Sequence, residues 1–160
     1  MDNVEISLLT DPNCDCFKKI IAWQYALYGE SEDESFEHIE ENFRNSLNTD
    51  CLPVTYVARI NNLCVGYFNI THNDLDIRPQ YHPWLANVYV DAAYRGIGIC
   101  KKLIEHAIEY LKNNGYKKCY LYTHHVDFYE KFGFKLIEII DPLLNKPHDK
   151  VRVYKIDLTI

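Results

Sequence analysis

No apolar run in the 160 residues approaches the ~20 needed to cross a bilayer, and the opening MDNVEISLLTDPNCD has no basic start followed by an apolar stretch. The expected class is a soluble cytoplasmic protein. Positive charge is scarce: 17 Lys and Arg stand against 23 Asp and Glu, a net −6. Such a chain repels nucleic acid and anionic membranes as a whole, so neither is an expected partner, and an anionic ligand must be held by a local feature. Metal-ligand spacing is also missing. Cys14 and Cys16 lie too close for a zinc knuckle, no second pair has ligand spacing, and the adjacent His124 and His125 would point to opposite faces of a strand, so no metal is expected. The six cysteines are scattered in a chain large enough to need no staples, which predicts free thiols. Repeats, linkers and low-complexity tracts are absent.

What is present is the composition of one globular domain, 1–160, with 48% hydrophobic and 25% charged residues. VEISLLT (4–10) reads as a first strand. Phe17, Ile20, Ile21, Gln24 and Leu27 fall at helical spacing in a helix that stops at Gly29, and Phe36, Ile39, Phe43 and Leu47 line a second helix over 35–47. PVTYVARI and LCVGYFNI flank Asn61-Asn62, a pair suited to a tight hairpin turn. The polar stretch 71–83 is a loop, WLANVYVD a central strand, and Ile99, Leu103, Ile104, Ala107, Ile108 and Leu111 the buried stripe of a helix that ends at Asn113-Asn114-Gly115. YKKCYLYT is a strand, VDFYEKF a short helix, GFKLIEII a strand, and DKVRVYKIDL a last strand after the loop DPLLNKPH. This order predicts an α/β (α+β) fold: a mixed sheet of six or seven strands with about four helices on its faces.

The most informative segment is YRGIGICKKL (94–103), where Gly96 and Gly98 stand between a strand and a helix. A helix start leaves its first amides without intrahelical partners and carries about half a positive charge, which suits phosphate oxygens. Glycines clear the approach, Arg95 can fork onto a phosphate, and Lys101 or Lys102 adds a point charge. The ligand class is a phosphate or pyrophosphate. The dinucleotide pattern GxGxxG fails for want of a third glycine, and the Walker pattern GxxxxGK[ST] is nowhere in the chain. A tight turn without a ligand is the other reading of two such glycines.

The run VYVDAAYRGIGICKKLIEHA resembles the acyl-CoA motif Arg/Gln-x-x-Gly-x-Gly/Ala of the GNAT superfamily of N-acyltransferases, here Arg95, Gly96, Ile97, Gly98, Ile99, Cys100. DFYEKFGF (127–134) is similar to that family's short helix and following strand. The resemblance implies the acyl-CoA N-acyltransferase fold, with the sheet splayed between the WLANVYVD and YKKCYLYT strands. It implies acetyl-CoA as co-substrate, its pantetheine arm along Val88, Tyr89 and Val90, and its pyrophosphate on the amides from Gly96 to Lys101. Cys100 departs from the usual Gly or Ala; it is small enough to pack, and a thiol at a helix start can also have a lowered pKa. THHVD lacks the asparagine many relatives place before the short helix, with Thr123 or His125 as substitutes.

Acetyl transfer to an amine needs a neutral nucleophile, donors for the developing oxyanion and a proton for the leaving thiolate. Tyr129 matches the family tyrosine that faces the sulfur, and a phenol with pKa about 10 can protonate a thiolate; the bland alternative is a packing tyrosine. A backbone amide near Tyr89 would meet the oxyanion. Where relatives often carry a carboxylate this chain has Ala86, which leaves His82, acting directly or through water, as the candidate base, with Asp76, Asp91 and solvent behind it. The acceptor is open: a small-molecule amine or a peptide amine. Seven acidic residues from Glu30 to Glu41 would attract a cation or merely solvate a helix, and Trp84 is either an acceptor wall or core. A homodimer is common among relatives. The rival function is an acyl-CoA-binding sensor or scaffold without turnover.

Overall fold

The computed structural model describes residues 3–29, 34–141 and 150–159. Within them lie seven strands, β1 (Val4–Leu8), β2 (Val54–Ile60), β3 (Leu63–Thr71), β4 (Trp84–Val90), β5 (Lys118–Thr123), β6 (Lys135–Ile140) and β7 (Val151–Asp157), and three α-helices, α1 (Asp15–Gln24), α2 (Phe36–Arg44) and α3 (Ile99–Asn113). They form one mixed sheet in the order β1-β2-β3-β4-β5-β7-β6. The pairs β1–β2, β2–β3, β5–β7 and β6–β7 are antiparallel, and β4 pairs β5 in parallel at Trp84 and Tyr120. The expected strand count and mixed sheet are borne out. The expected fourth helix, over VDFYEKF, is a single 3-10 turn, Tyr129–Phe132. The DPLLNKPH loop lies, apart from Asp141, outside the described residues.

The chain packs as two compact units. The first comprises Met1–Ile70 and Asn87–Leu103. Its core sets Phe17, Ile20 and Ile21 of α1 and Ile39 and Phe43 of α2 against Val57, Cys64 and Tyr67 of the sheet. The β2–β3 hairpin turns on Asn61 (φ 50°) and Asn62 (φ 67°), the left-handed pair its sequence predicts. Two expected core positions are corrected. Leu27 is 46% exposed because α1 gives way after Gln24 to a π-turn (Tyr25–Gly29), whose wider spacing rotates residue 27 off the buried face. Phe36 is 44% exposed, at the first residue of α2, where its ring meets Tyr25 edge-on.

The second unit comprises Thr71–Ala86 and Ile104–Ile160. Its core includes Leu75, Trp84, Tyr120 and Val153, with Tyr81 stacked on Tyr120 at 4.5 Å. Trp84 is fully buried and its indole Nε1 donates to the Tyr81 carbonyl, 2.6 Å, so this residue is core rather than an acceptor wall. Among the described residues no helix is long and apolar enough to cross a membrane. All six cysteines are free thiols.

Candidate functional site

In the first unit, the second half of β4 leads directly into the glycine turn. β4 opens with three consecutive buried residues, Trp84, Leu85 and Ala86, and then exposes Asn87, whose φ of 57° is left-handed. A positive φ at a non-glycine residue inside a strand breaks the alternation and redirects the chain. Val88 and Tyr89 are half-buried, Val90 is buried, and the Asp91 amide donates to the Val65 carbonyl at 2.8 Å. Asp91 also caps the short 3-10 turn Ala92–Tyr94 by accepting from the Ala93 amide, which gives it a turn role.

The turn itself is exposed from Arg95 through Gly98. Gly96 and Gly98 have φ of 85° and 90°, and a Cβ added at either would meet no atom within 4 Å. Their glycine character therefore answers to backbone conformation and leaves open space above the amides. The first helical bond of α3 runs from the Lys102 amide to the Gly98 carbonyl, 3.2 Å, so the amides of Ile99 and Cys100 precede the ladder. Ile97 is 51% exposed, Ile99 is buried, and Lys101 and Lys102 are exposed on the first turn of the helix. Cys100 is half-buried, and burial pushes its thiol pKa up rather than down. This burial disfavours the thiolate and agrees with the packing role that the small size of Cys100 suggests.

Arg95 takes a position the sequence did not foretell. Its Nε donates to the Val90 carbonyl at 2.9 Å, and its guanidinium lies 5.5 Å from the Tyr89 ring centroid. It ties the glycine turn to β4. Tyr89 also lies 5.0 Å from Trp23 and 6.2 Å from Tyr67, whose hydroxyl accepts from the Gln24 side chain. Burial drives the Tyr67 phenol pKa well above its ordinary value. The residues Val88–Lys101 expected to bind the acyl carrier thus sit on one continuous strand-turn-helix segment, with an aromatic cluster around Tyr89.

The second unit holds the remaining candidates. Tyr129 opens the 3-10 turn and is buried, its ring 4.9 Å from Phe128, 6.0 Å from Phe134 and 6.2 Å from Tyr154. Thr123, at the end of β5, is buried and accepts from the His125 amide at 3.1 Å, closing the bend before that turn. His125 is exposed and its ring is 6.1 Å from Phe128. His82 is exposed immediately before Pro83 and β4. Asp76 is exposed, whereas its neighbour Asp74 is half-buried, and burial together with the Asp76 charge raises the Asp74 carboxyl to about 6. Sequence reasoning passed over Asp74, Asn87 and Trp23. A polar Asn inside the apolar run WLANVYV was the one available signal, since Asn tolerates left-handed φ. Of the acidic cluster, Glu30, Glu32 and Asp33 lie outside the described residues. Among the described residues no three His, Cys, Asp or Glu side chains are grouped to hold a metal ion.

With this geometry in view, the comparisons with known proteins converge. The sequence model of the acetyltransferase (GNAT) family matches residues 17–134. No curated protein matches the sequence significantly. Among solved structures, an N-acetyltransferase from Staphylococcus aureus Mu50 has a TM-score of 0.74 at 18% identity, over 98% of this chain and 99% of the other. A GNAT family acetyltransferase from Streptococcus pneumoniae has a TM-score of 0.71 at 20% identity, over 98% and 100%. A GNAT family acetyltransferase from Elizabethkingia anophelis, with acetyl-CoA bound, has a TM-score of 0.67 at 20% identity, over 99% and 100%. At these identities the likeness is one of fold.

Proposed function

The chain belongs to the GNAT family of acetyltransferases, and on that premise we propose that it is an acetyl-CoA-dependent N-acetyltransferase whose acceptor, a primary amine of a small molecule or peptide, attacks directly in a ternary complex. The observation that carries the reading is the turn at Gly96 and Gly98: two left-handed glycines with open space above them, at the head of a 15-residue helix. That turn fits a diphosphate, because main-chain amides and a helix start supply donors without side chains in the way. When bound, acetyl-CoA supplies the acetyl group as an activated thioester.

The chain's own residues then divide the work. The amides from Gly96 to Lys101 hold the diphosphate. The main chain of Val88 to Val90 lines the pantetheine arm, and an amide near Tyr89 meets the carbonyl oxygen, where a donor is worth most as negative charge develops. Thr123 contributes to holding the arm. Tyr129 gives its phenolic proton to the departing thiolate, and His82 takes the proton of the attacking amine, directly or through water.

The test is thiol release from acetyl-CoA with aminoglycosides, polyamines and peptides with free N-termini as acceptors. One acceptor class is expected to raise release well above buffer, and Tyr129→Phe to lower kcat by about 100-fold or more with little change in acetyl-CoA affinity. If acetyl-CoA binds but no acceptor promotes release, the chain is instead a non-catalytic acyl-CoA sensor. The buried Ala86, in place of a strand carboxylate, is the feature that would favour that outcome.

A further inference from the structure

A chain of polar side chains, buried at Thr55 and Asn69, runs through the first unit and ends at the exposed Asn87 in the kink of β4. Thr55 Oγ1 donates to the Ser46 carbonyl at 2.9 Å and accepts from Asn69 Nδ2 at 2.7 Å. Asn69 Nδ2 also reaches the Val54 carbonyl at 3.4 Å, and Asn69 Oδ1 accepts from Asn87 Nδ2 at 2.9 Å. Thr55 is 0% and Asn69 2% exposed, so no solvent substitutes for the bonds between them, and the orientation this gives Asn69 places its Oδ1 for Asn87. Burying two polar side chains between apolar strands is unfavourable unless every group is matched. Apolar residues at both positions would satisfy packing alone, so the network carries information beyond stability.

That information is the conformation of Asn87. Its φ of 57° decides where the next amides, Val88 to Val90, point. Beyond the kink the strand is held closely as well: Val90 by Arg95, Asp91 by Val65, and Tyr89 by a carbonyl so close to Gly66 that a Cβ there would lie 2.7 Å from the oxygen. Residues 88–90 are therefore fixed from both ends, by the Thr55–Asn69–Asn87 chain upstream and the 65–66 and Arg95 contacts downstream.

We propose that Asn87 is a positioning residue for acyl transfer: anchored through Asn69 to Thr55, it aims the β4 amides that meet the acyl carbonyl. The inference rests on the acetyltransferase reading above. It concerns the aim of the donors and leaves the hold on the diphosphate untouched, so it separates turnover from binding.

The experiment measures kcat and acetyl-CoA Kd for wild type, Asn87→Ala, Asn87→Gly and Thr55→Val, with melting curves for each. Asn87→Ala removes the tether and disfavours the left-handed angle. Asn87→Gly keeps the angle available and removes only the tether, so it preserves folding where Ala does not. Thr55→Val is nearly isosteric and reaches Asn87 only through Asn69. The expected result is a fall in kcat of roughly 10- to 100-fold for the Asn87 variants, the scale of a small misalignment of reacting groups. A smaller fall is expected for Thr55→Val, with acetyl-CoA Kd within about threefold of wild type throughout, well short of the tenfold that 1.4 kcal/mol would bring. Unchanged kcat in folded Asn87→Gly and Thr55→Val overturns the proposal, as does a loss of affinity that parallels the loss of kcat. Wild type that binds acetyl-CoA yet turns over no amine overturns the acetyltransferase reading itself, and this inference with it.

Discussion

Replacing Gly98 tests the diphosphate reading with a magnitude set by the structure. At φ 90° an alanine pays a conformational penalty of about 1–2 kcal/mol, but no steric one, since its Cβ meets nothing within 4 Å. For a chain of this size that is a fall in Tm of about 2–8 °C. The ligand feels a different perturbation. A side chain over the amides displaces a charge-assisted hydrogen bond worth about 1.5–3 kcal/mol, which is about 10- to 150-fold in acetyl-CoA affinity. Gly98→Glu adds a like charge; a pair 4–5 Å apart at an effective dielectric of 20 repels by about 3–4 kcal/mol, reduced by the solvent around this exposed turn. A loss of at least about 100-fold is expected for Glu.

A matched control exists in the same molecule. Gly115 also has a positive φ, 80°, and an added Cβ there likewise meets nothing, but it ends α3 instead of preceding it. Gly115→Ala should lower Tm by a similar amount and leave acetyl-CoA affinity unchanged. Calorimetric titration with acetyl-CoA at two salt concentrations, beside melting curves, makes the comparison. A folded Gly98→Glu that binds as tightly as wild type would refute the site, and so would equal weakening by Gly115→Ala.

Gly66→Ala places its Cβ 2.7 Å from the Tyr89 carbonyl oxygen and 3.3 Å from a Leu103 methyl; the carbonyl cannot rotate away, so a loss of about 1–3 kcal/mol is expected in urea unfolding, together with lowered turnover as β4 shifts. Asp74 holds its proton up to about pH 6 in the folded chain, against 3.8 unperturbed, so the native state binds the extra proton between those values and stability falls as pH rises through them. Asp74→Asn should accordingly be more stable than wild type above pH 6, by about 1–3 kcal/mol, and equal to it below pH 4; a constant difference across pH 4–8 would contradict the burial of this carboxyl.

The elements legible in the sequence are those whose signals are local. The Asn61-Asn62 turn and the stop at Gly115 depend on positive φ that few residues adopt, the α3 stripe on an apolar repeat along its own sequence, and each is where its pattern puts it. The failures come where one element changes pitch or meets another. Leu27 keeps helical spacing in the sequence, yet the π-turn moves it outward. The short helix around Tyr129 contracts to one 3-10 turn. The bond from Arg95 Nε to the Val90 carbonyl is likewise unmarked in the sequence, where Arg95 reads only as a phosphate fork. The Thr55–Asn69–Asn87 chain joins three strands and has no pattern along the sequence at all.

The same distinction explains why the proposed carrier site has a signature in the sequence and a site for the acceptor has none. A diphosphate held by main-chain amides needs glycines at left-handed positions, and Gly96 and Gly98 advertise that need whatever surrounds them. Groupings of side chains from distant elements carry no such local mark. Trp23 of α1, Tyr67 of β3 and Tyr89 of β4 assemble into one aromatic cluster although 66 residues separate the first from the last. Arg95 joins that cluster through Tyr89 while standing in the glycine turn. With a net charge of −6 the chain offers an anion little long-range attraction, so binding at the glycine turn would depend on local donors, and the bond from Arg95 Nε to the Val90 carbonyl ties that turn to β4.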